Sequence, residues 1–240
     1  MIRVGHLYPD ILNAFGDNGN VTAFEKRCHW RDIPCVVDQI RLGDEVDFGK
    51  YHAVFLGGGL FREQSLIRAE LLKMRDNLKE TIEDGLVVLA IDSGFQLLGK
   101  YYQDSNYDII DGLGILDCYT RIGEKRLVGN VTVDLKLVGE SYHVFGFANH
   151  LGETFINDNS PLGKVLYGTG NNNKDNGEGL RYKNVFCSYL HGPLLPVNPR
   201  LADYLIELAV EKSGLLHVVE PLPDIFEEQA RAACRKRMGI

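Results

Sequence analysis

The chain has 240 residues, 45% of them hydrophobic, enough for a full core in one large domain or two closely joined lobes. Its formal net charge of −7, with no Lys/Arg-rich run, excludes a nucleic-acid surface, and no apolar run reaches the roughly 18 residues of a membrane span. Five scattered cysteines (Cys28, Cys35, Cys118, Cys187, Cys234) form no C-x-x-C pair, and the N-terminus lacks a signal-peptide pattern, so a reduced, cytoplasmic protein is expected.

In chain order, Ile2–Leu7 is a first strand, followed by a loop containing Gly16, Asp17, Asn18 and Gly19. Asn20 is a good N-cap for a helix with Val21, Phe24 and Cys28 on one face. Cys35–Ile40 and Ala53–Leu56 are the next strands, the latter running into Gly57, Gly58 and Gly59. The spacing of Ile67, Leu71, Met74, Leu78 and Ile82 predicts one long helix with Gly85 as its stop. Val87–Ile91 is a wholly apolar strand, and Ser93-Gly94 turns it sharply into a helix that begins with Phe95. Strands alternating with helices in this way mean a mainly parallel, doubly wound α/β sheet with helices on both faces.

Beyond Gly99 the pattern becomes strand-rich. Short strands are expected at 112–118, 129–137, 142–147 and 164–167, an irregular loop at 168–179, and another strand at 182–190 ending on His191. Asn198 caps a helix with Pro199 at its first position and Gly214 as its stop. A last helix, from Asp224 to Arg237, is mixed in charge and peripheral. No repeat, linker or low-complexity tract divides the chain, so residues 1–240 are treated as one domain.

Three places carry chemistry. The strand–turn–helix at 87–98 holds one side chain in a strained, exposed position and offers the next N–H to an oxyanion, an arrangement that normally serves a nucleophile. Here that side chain is Asp92. The glycines at 57–59 follow a strand directly, where backbone N–H groups can face a developing negative charge. His191 ends a strand, and sites in parallel sheets form at strand carboxyl ends. By themselves, the glycines serve equally as a tight turn and the histidine as a structural one.

In this order, the three features resemble the class I glutamine amidotransferases. The likeness is to the cobyric-acid-synthase-like branch, and within it to the glutaminase subunits of lipid II isoglutaminyl synthases. It rests on residues 5–10, Leu12-Asn13, Gly16-Asp17, Gly19-Asn20, 25–27, 57–59, 62–64, 95–99, 123–127, Asn149-His150 and 189–195. The resemblance implies that ammonia from glutamine passes to a Mur-ligase-like, ATP-using partner, which amidates a cell-wall precursor. It places the catalytic histidine on His191, the glutamine-holding arginine on Arg126, and the oxyanion donors on Ser93 and on Gly58 or Gly59. A guanidinium fork suits that role because it pairs a carboxylate bidentately. No metal or other cofactor is implied, and the chain has no G-x-x-x-x-G-K-[ST] loop, so synthetase activity needs a second polypeptide.

The departures cluster in the segments expected to border the glutamine pocket. Asp92 stands where the family has its nucleophilic cysteine, with Ser93 where a glycine usually follows. Leu60-Phe61 replace Gln-Asp, Ala148 replaces a glutamate, and Leu151 and Glu153 replace Ser and Arg. A thiolate forms a thioester that water cleaves; a carboxylate would have to form an anhydride while expelling amide nitrogen. In another hydrolase, removing the nucleophile costs on the order of 10⁶ in kcat. Cys187 is no substitute, since four residues along a strand separate it from His191 by roughly 13 Å. The favoured expectation is a glutaminase-type subunit, impaired or inactive in hydrolysis, in a heterodimer with the ligase. Two alternatives stand beside it: an active subunit using another nucleophile, and a hydrolase with Asp92 as nucleophile and His191 as base.

Overall fold

The computed structural model describes residues 1–239. Its first half runs β1 (Ile2–Leu7), α1 (Asn18–His29), β2 (Cys35–Ile40), β3 (Ala53–Leu56), α2 (Phe61–Lys73), α3 (Arg75–Glu83), β4 (Val87–Ile91) and α4 (Ser93–Leu98). The second half runs β5 (Tyr101–Gln103), β6 (Ile109–Asp111), β7 (Tyr119–Leu137), β8 (Glu140–Phe155), β9 (Gly163–Tyr167), β10 (Gly177–Glu178), β11 (Leu180–Tyr182), β12 (Val185–Ser188) and β13 (Leu190–His191). Helices α5 (Pro199–Ser213) and α6 (Ile225–Met238) close it. No helix among the described residues is long and apolar enough to cross a membrane.

The central sheet has the order β11-β12-β4-β3-β1-β2, parallel except where β11 pairs antiparallel with β12. Its inner strands β3 and β4 are apolar and buried at every position because both faces are covered there. Val87, Leu89 and Ile91 of β4 enter one core with residues of α1 and α5, while Val88 and Ala90 enter the other with residues of α2, α3 and α4. The expected α/β class, a single domain with helices on both faces, is the one observed.

Four local expectations are corrected. The long helix predicted through Met74 breaks there into α2 and α3, with Met74 at φ −112° between them. Residues 112–118 form no strand. The strands expected at 129–137 and 142–147 are parts of β7 and β8, which reach 19 and 16 residues and pair along most of their length in a second, mostly antiparallel sheet. The strand expected at 182–190 ends at Ser188, and the chain crosses to the second sheet, where β13 pairs with β8. Side chains cause that crossing. The Tyr189 N–H donates to Glu178 Oε1 at 2.7 Å and the Leu190 N–H to Ser188 Oγ at 3.0 Å, so neither continues the parallel ladder.

Two asparagines read as caps act as clips between elements instead. Asn20 lies inside α1, and its Oδ1 accepts from the Leu195 N–H at 2.8 Å. Asn198 does hold the cap position of α5, but its amide bonds both the N–H and the C=O of Phe145 on β8, at 2.9 and 2.7 Å. Both bonds tie the loop after β13 and the second sheet to the parallel layer.

Candidate active site

The elbow forms as its sequence predicts. Asp92 has φ 52° and ψ −110°, a conformation that L residues rarely adopt and that persists only where the surroundings hold it. Its N–H donates to the Ser188 carbonyl at 2.9 Å, and its own carbonyl accepts from the Gln96 N–H at 3.0 Å, which starts α4. Gly94 is required sterically, because a Cβ there would lie 2.6 Å from the Leu56 carbonyl oxygen. α4 therefore packs directly on the end of β3, bringing the triple-glycine turn under Asp92.

His191 meets Asp92 across this turn. Its Nε2 lies 4.0 Å from Asp92 Oδ2, and its Nδ1 lies 3.3 Å from Asp17 Oδ1. The three side chains are buried and form a line from Asp17 through His191 to Asp92. Sequence reasoning did not single out Asp17. Two signals were available: its place in the loop after β1, since loops at strand carboxyl ends converge on sites in such sheets, and its membership of the Gly16-Asp17 pair in the resemblance. Phe15, in the same loop, packs against the His191 ring at a centroid distance of 4.3 Å and a tilt of 41°, and Phe15 rather than His191 borders the adjoining cavity.

The expected oxyanion donors already have acceptors. The Gly58 N–H donates to Asp17 Oδ2 at 2.9 Å, and the Gly59 N–H to Ser93 Oγ at 2.7 Å. The Ser93 N–H, the third expected donor, lies beside the Asp92 carboxylate and weakly favours its charged form. Burial nevertheless pushes Asp92 up to about 6; His191 opposes this and the nearby Asp17 carboxylate adds to it.

The second sheet supplies the other wall. β7 and β8 lose register between Ile122 and Leu127, and Arg126 sits in the unpaired stretch that results. Its guanidinium bonds Asn149 Oδ1 at 2.7 Å and the Asn149 carbonyl at 3.3 Å, leaving its remaining edge free of any carboxylate. A cavity of about 150 Å³ lies between the walls, bordered by Asp92, Ser93, Gly59, Arg126, Asn149 and His150 among others. Beneath it the side chains of Gln64, Gln96, Tyr189, Thr154 and Thr120 form one hydrogen-bonded chain. His150 stacks on Tyr189 at 3.9 Å.

The substituted positions divide between pocket and core. Leu60, Phe61 and Leu151 border the cavity, and Leu60 is 62% exposed. Ala148, expected to border it too, is buried in the core cluster that contains β4 and α5, because its register opposite Leu190 turns it inward. Glu153 pairs with Lys174 at 2.9 Å rather than facing the cavity. Cys187 is fully buried among apolar side chains, and burial pushes its thiol well up, as expected of a packing residue.

The model of the CobB/CobQ-like glutamine amidotransferase domain matches residues 3–199. Over 230 residues the chain is 39% identical to the lipid II isoglutaminyl synthase (glutamine-hydrolyzing) subunit GatD of Staphylococcus aureus (strain N315), spanning 96% of this chain and 93% of that one. It is 40% identical over 213 residues to the subunit of the same name from Streptococcus pneumoniae (strain ATCC BAA-255 / R6), spanning 88% and 81%. A solved structure of PurLQS from Thermotoga maritima superposes with a TM-score of 0.61 at 16% identity, covering 88% of this chain and 98% of that one. The latter is a likeness of fold alone.

Proposed function

The chain belongs to the CobB/CobQ-like glutamine amidotransferase family, and from that membership we propose that it is the glutaminase-type subunit of an isoglutaminyl synthase-like enzyme in which glutamine hydrolysis is impaired or lost. It works in the cytoplasm in a heterodimer with an ATP-using, Mur-ligase-like partner that amidates a peptidoglycan precursor, and residues 1–240 act as one unit. The likeness to two GatD subunits over nearly the whole chain supports the assignment to that enzyme class.

One observation carries the impairment: the nucleophile's place is filled by Asp92, and the Gly58 and Gly59 donors that should meet a tetrahedral oxyanion are engaged by Asp17 and Ser93. Such donors act by being aimed, unbonded, at the position where charge develops. An ester intermediate on Asp92 would need the same donors to be cleaved, so the geometry favours an aspartate-nucleophile hydrolase no more than a glutaminase. His191 remains oriented by Asp17 but has no thiol to activate.

The test is to co-express the chain with a Mur-ligase-like protein, purify the complex, and measure ammonia release from glutamine. We expect a stable complex, release no faster than that of the His191→Ala variant, and amidation by the partner when an ammonium salt replaces glutamine. Glutamine-dependent ammonia release that His191→Ala abolishes would overturn the impairment. A chain that stays monomeric beside the ligase would overturn the partnership.

A further inference from the structure

The cavity floor is better matched to a cation than to an amide. A neutral side-chain amide entering between the walls needs a donor for its carbonyl oxygen, and the Gly58 and Gly59 N–H groups are engaged. In place of a donor the floor presents the Asp92 carboxylate, which repels a carbonyl oxygen and attracts an N–H-bearing cation. No Lys or Arg among the described residues lies within ion-pair distance of Asp92; its nearest cationic candidate is His191, at 4.0 Å.

His150 adds a second acceptor. Its Nδ1 lies 2.7 Å from the Gly152 carbonyl oxygen, a contact that requires a proton on Nδ1. Burial lowers its pKa to about 4, so the ring is neutral and Nε2 carries a lone pair. That Nε2 is buried without a partner in a residue that borders the cavity, a cost that a ligand N–H would remove. Arg126 borders the same cavity with one edge of its guanidinium free, ready for a carboxylate.

We propose that this cavity binds a free amino acid bearing a side-chain primary ammonium, with its carboxylate on Arg126 and the side-chain ammonium on Asp92 and His150. The inference rests on the reading above, in which Asp92 no longer serves turnover. A volume of about 150 Å³ is small for a cofactor, in keeping with one amino acid. The site thereby becomes a sensor or a plug for a diamino acid within the glutaminase frame.

Titration calorimetry on the full chain at neutral pH tests this with L-ornithine and L-lysine against L-glutamine and L-norvaline. L-Ornithine places its side-chain nitrogen as many bonds from Cα as glutamine does, and L-norvaline lacks the nitrogen. We expect one of the diamino acids to bind at least about ten-fold more tightly than glutamine or norvaline, the ratio of a single added ionic hydrogen bond. The preference should disappear in Asp92→Asn, checked for native near-UV dichroism, and should weaken in the unmodified chain as pH falls below about 6, where Asp92 takes up its proton. Glutamine binding as tightly as the diamino acids, a preference that survives in a folded Asp92→Asn chain, or no binding by any of the four would each overturn the inference. None of these results touches the impairment, which ammonia release alone decides.

Discussion

The two walls of the cleft differ in what their polar groups do. On the parallel-sheet wall, Asp17 takes the Gly58 N–H, Ser93 takes the Gly59 N–H, and Phe15 covers the His191 ring, whose Nε2 is left without a partner beside Asp92. On the antiparallel wall, Arg126 keeps a free guanidinium edge and His150 a free nitrogen. Turnover requires open groups on the first wall; binding requires them on the second. The difference teaches that two separate sheets supply the two sides of this cleft, so that the groups on one side can change without altering those on the other.

The strongest way to break this comparison is to reopen the first wall. Asp92→Cys supplies a thiol for His191 and removes the charge beside the oxyanion donors. We expect ammonia release from glutamine to rise by about 10²–10³-fold over background, short of the roughly 10⁶ a full nucleophile contributes elsewhere, because substrate misplaced by 1 Å can itself cost about 10². Adding polar residues at 60, 61 and 151 should raise it further, whereas changing Ala148, which faces the core, should not. A single Asp92→Cys change that gave full activity would show that the other substitutions are silent.

The next effect is on stability. The folded pKa of Asp92, about 6, lies above the ordinary 3.8, so between those values the folded chain holds the extra proton and stability falls as pH rises. About two pKa units at about 1.4 kcal/mol each make an ionised Asp92 cost about 3 kcal/mol above pH 6. Urea unfolding of Asp92→Asn should therefore show stabilisation of that order at pH 7.5, shrinking to nothing below pH 4. Equal stabilities at both values would mean that the carboxylate is better compensated than its position suggests.

The second wall is sharpened by Arg126→Ala. Loss of an ionic hydrogen bond costs about 1.5–3 kcal/mol, so the Kd of any carboxylate ligand should rise about 10–100-fold with the melting temperature nearly unchanged. Arg126→Lys should recover only part of this, for lack of a second parallel donor. Unchanged binding in Arg126→Ala would place the ligand elsewhere. The smallest effect is expected of Cys187→Ala. As a packing residue it should cost about 1 kcal/mol in urea unfolding and leave ammonia release and ligand binding untouched.

Where sequence reasoning succeeded, the signal was local. Val87–Ile91 is apolar at every position, as suits a short strand buried on both faces, and Ser93-Gly94 behind it marks the turn that sets Asp92 at the cleft. The stop of α3 at Gly85 and that of α5 at Gly214 follow from the left-handed backbone both glycines adopt.

Tertiary structure decided the rest, through pairings between residues far apart in the chain. The run from Tyr182 to Leu190 looks like one strand, yet Glu178 captures the Tyr189 N–H and sends the chain into a second sheet, delivering His191 to Asp17. The lost register of β7 against β8 frees Arg126, and the register of β8 against β13 turns Ala148 into the core. Asp17, one of several polar residues in its loop, gains its role only because β1 lies beside β3 and its carboxylate takes the Gly58 N–H. Local sequence specifies which backbone conformations a segment prefers. Which donor meets which acceptor depends on sheet register and on bonds between distant residues, such as the one that joins Asp17 to His191 across 174 positions, and those set the geometry of this cleft.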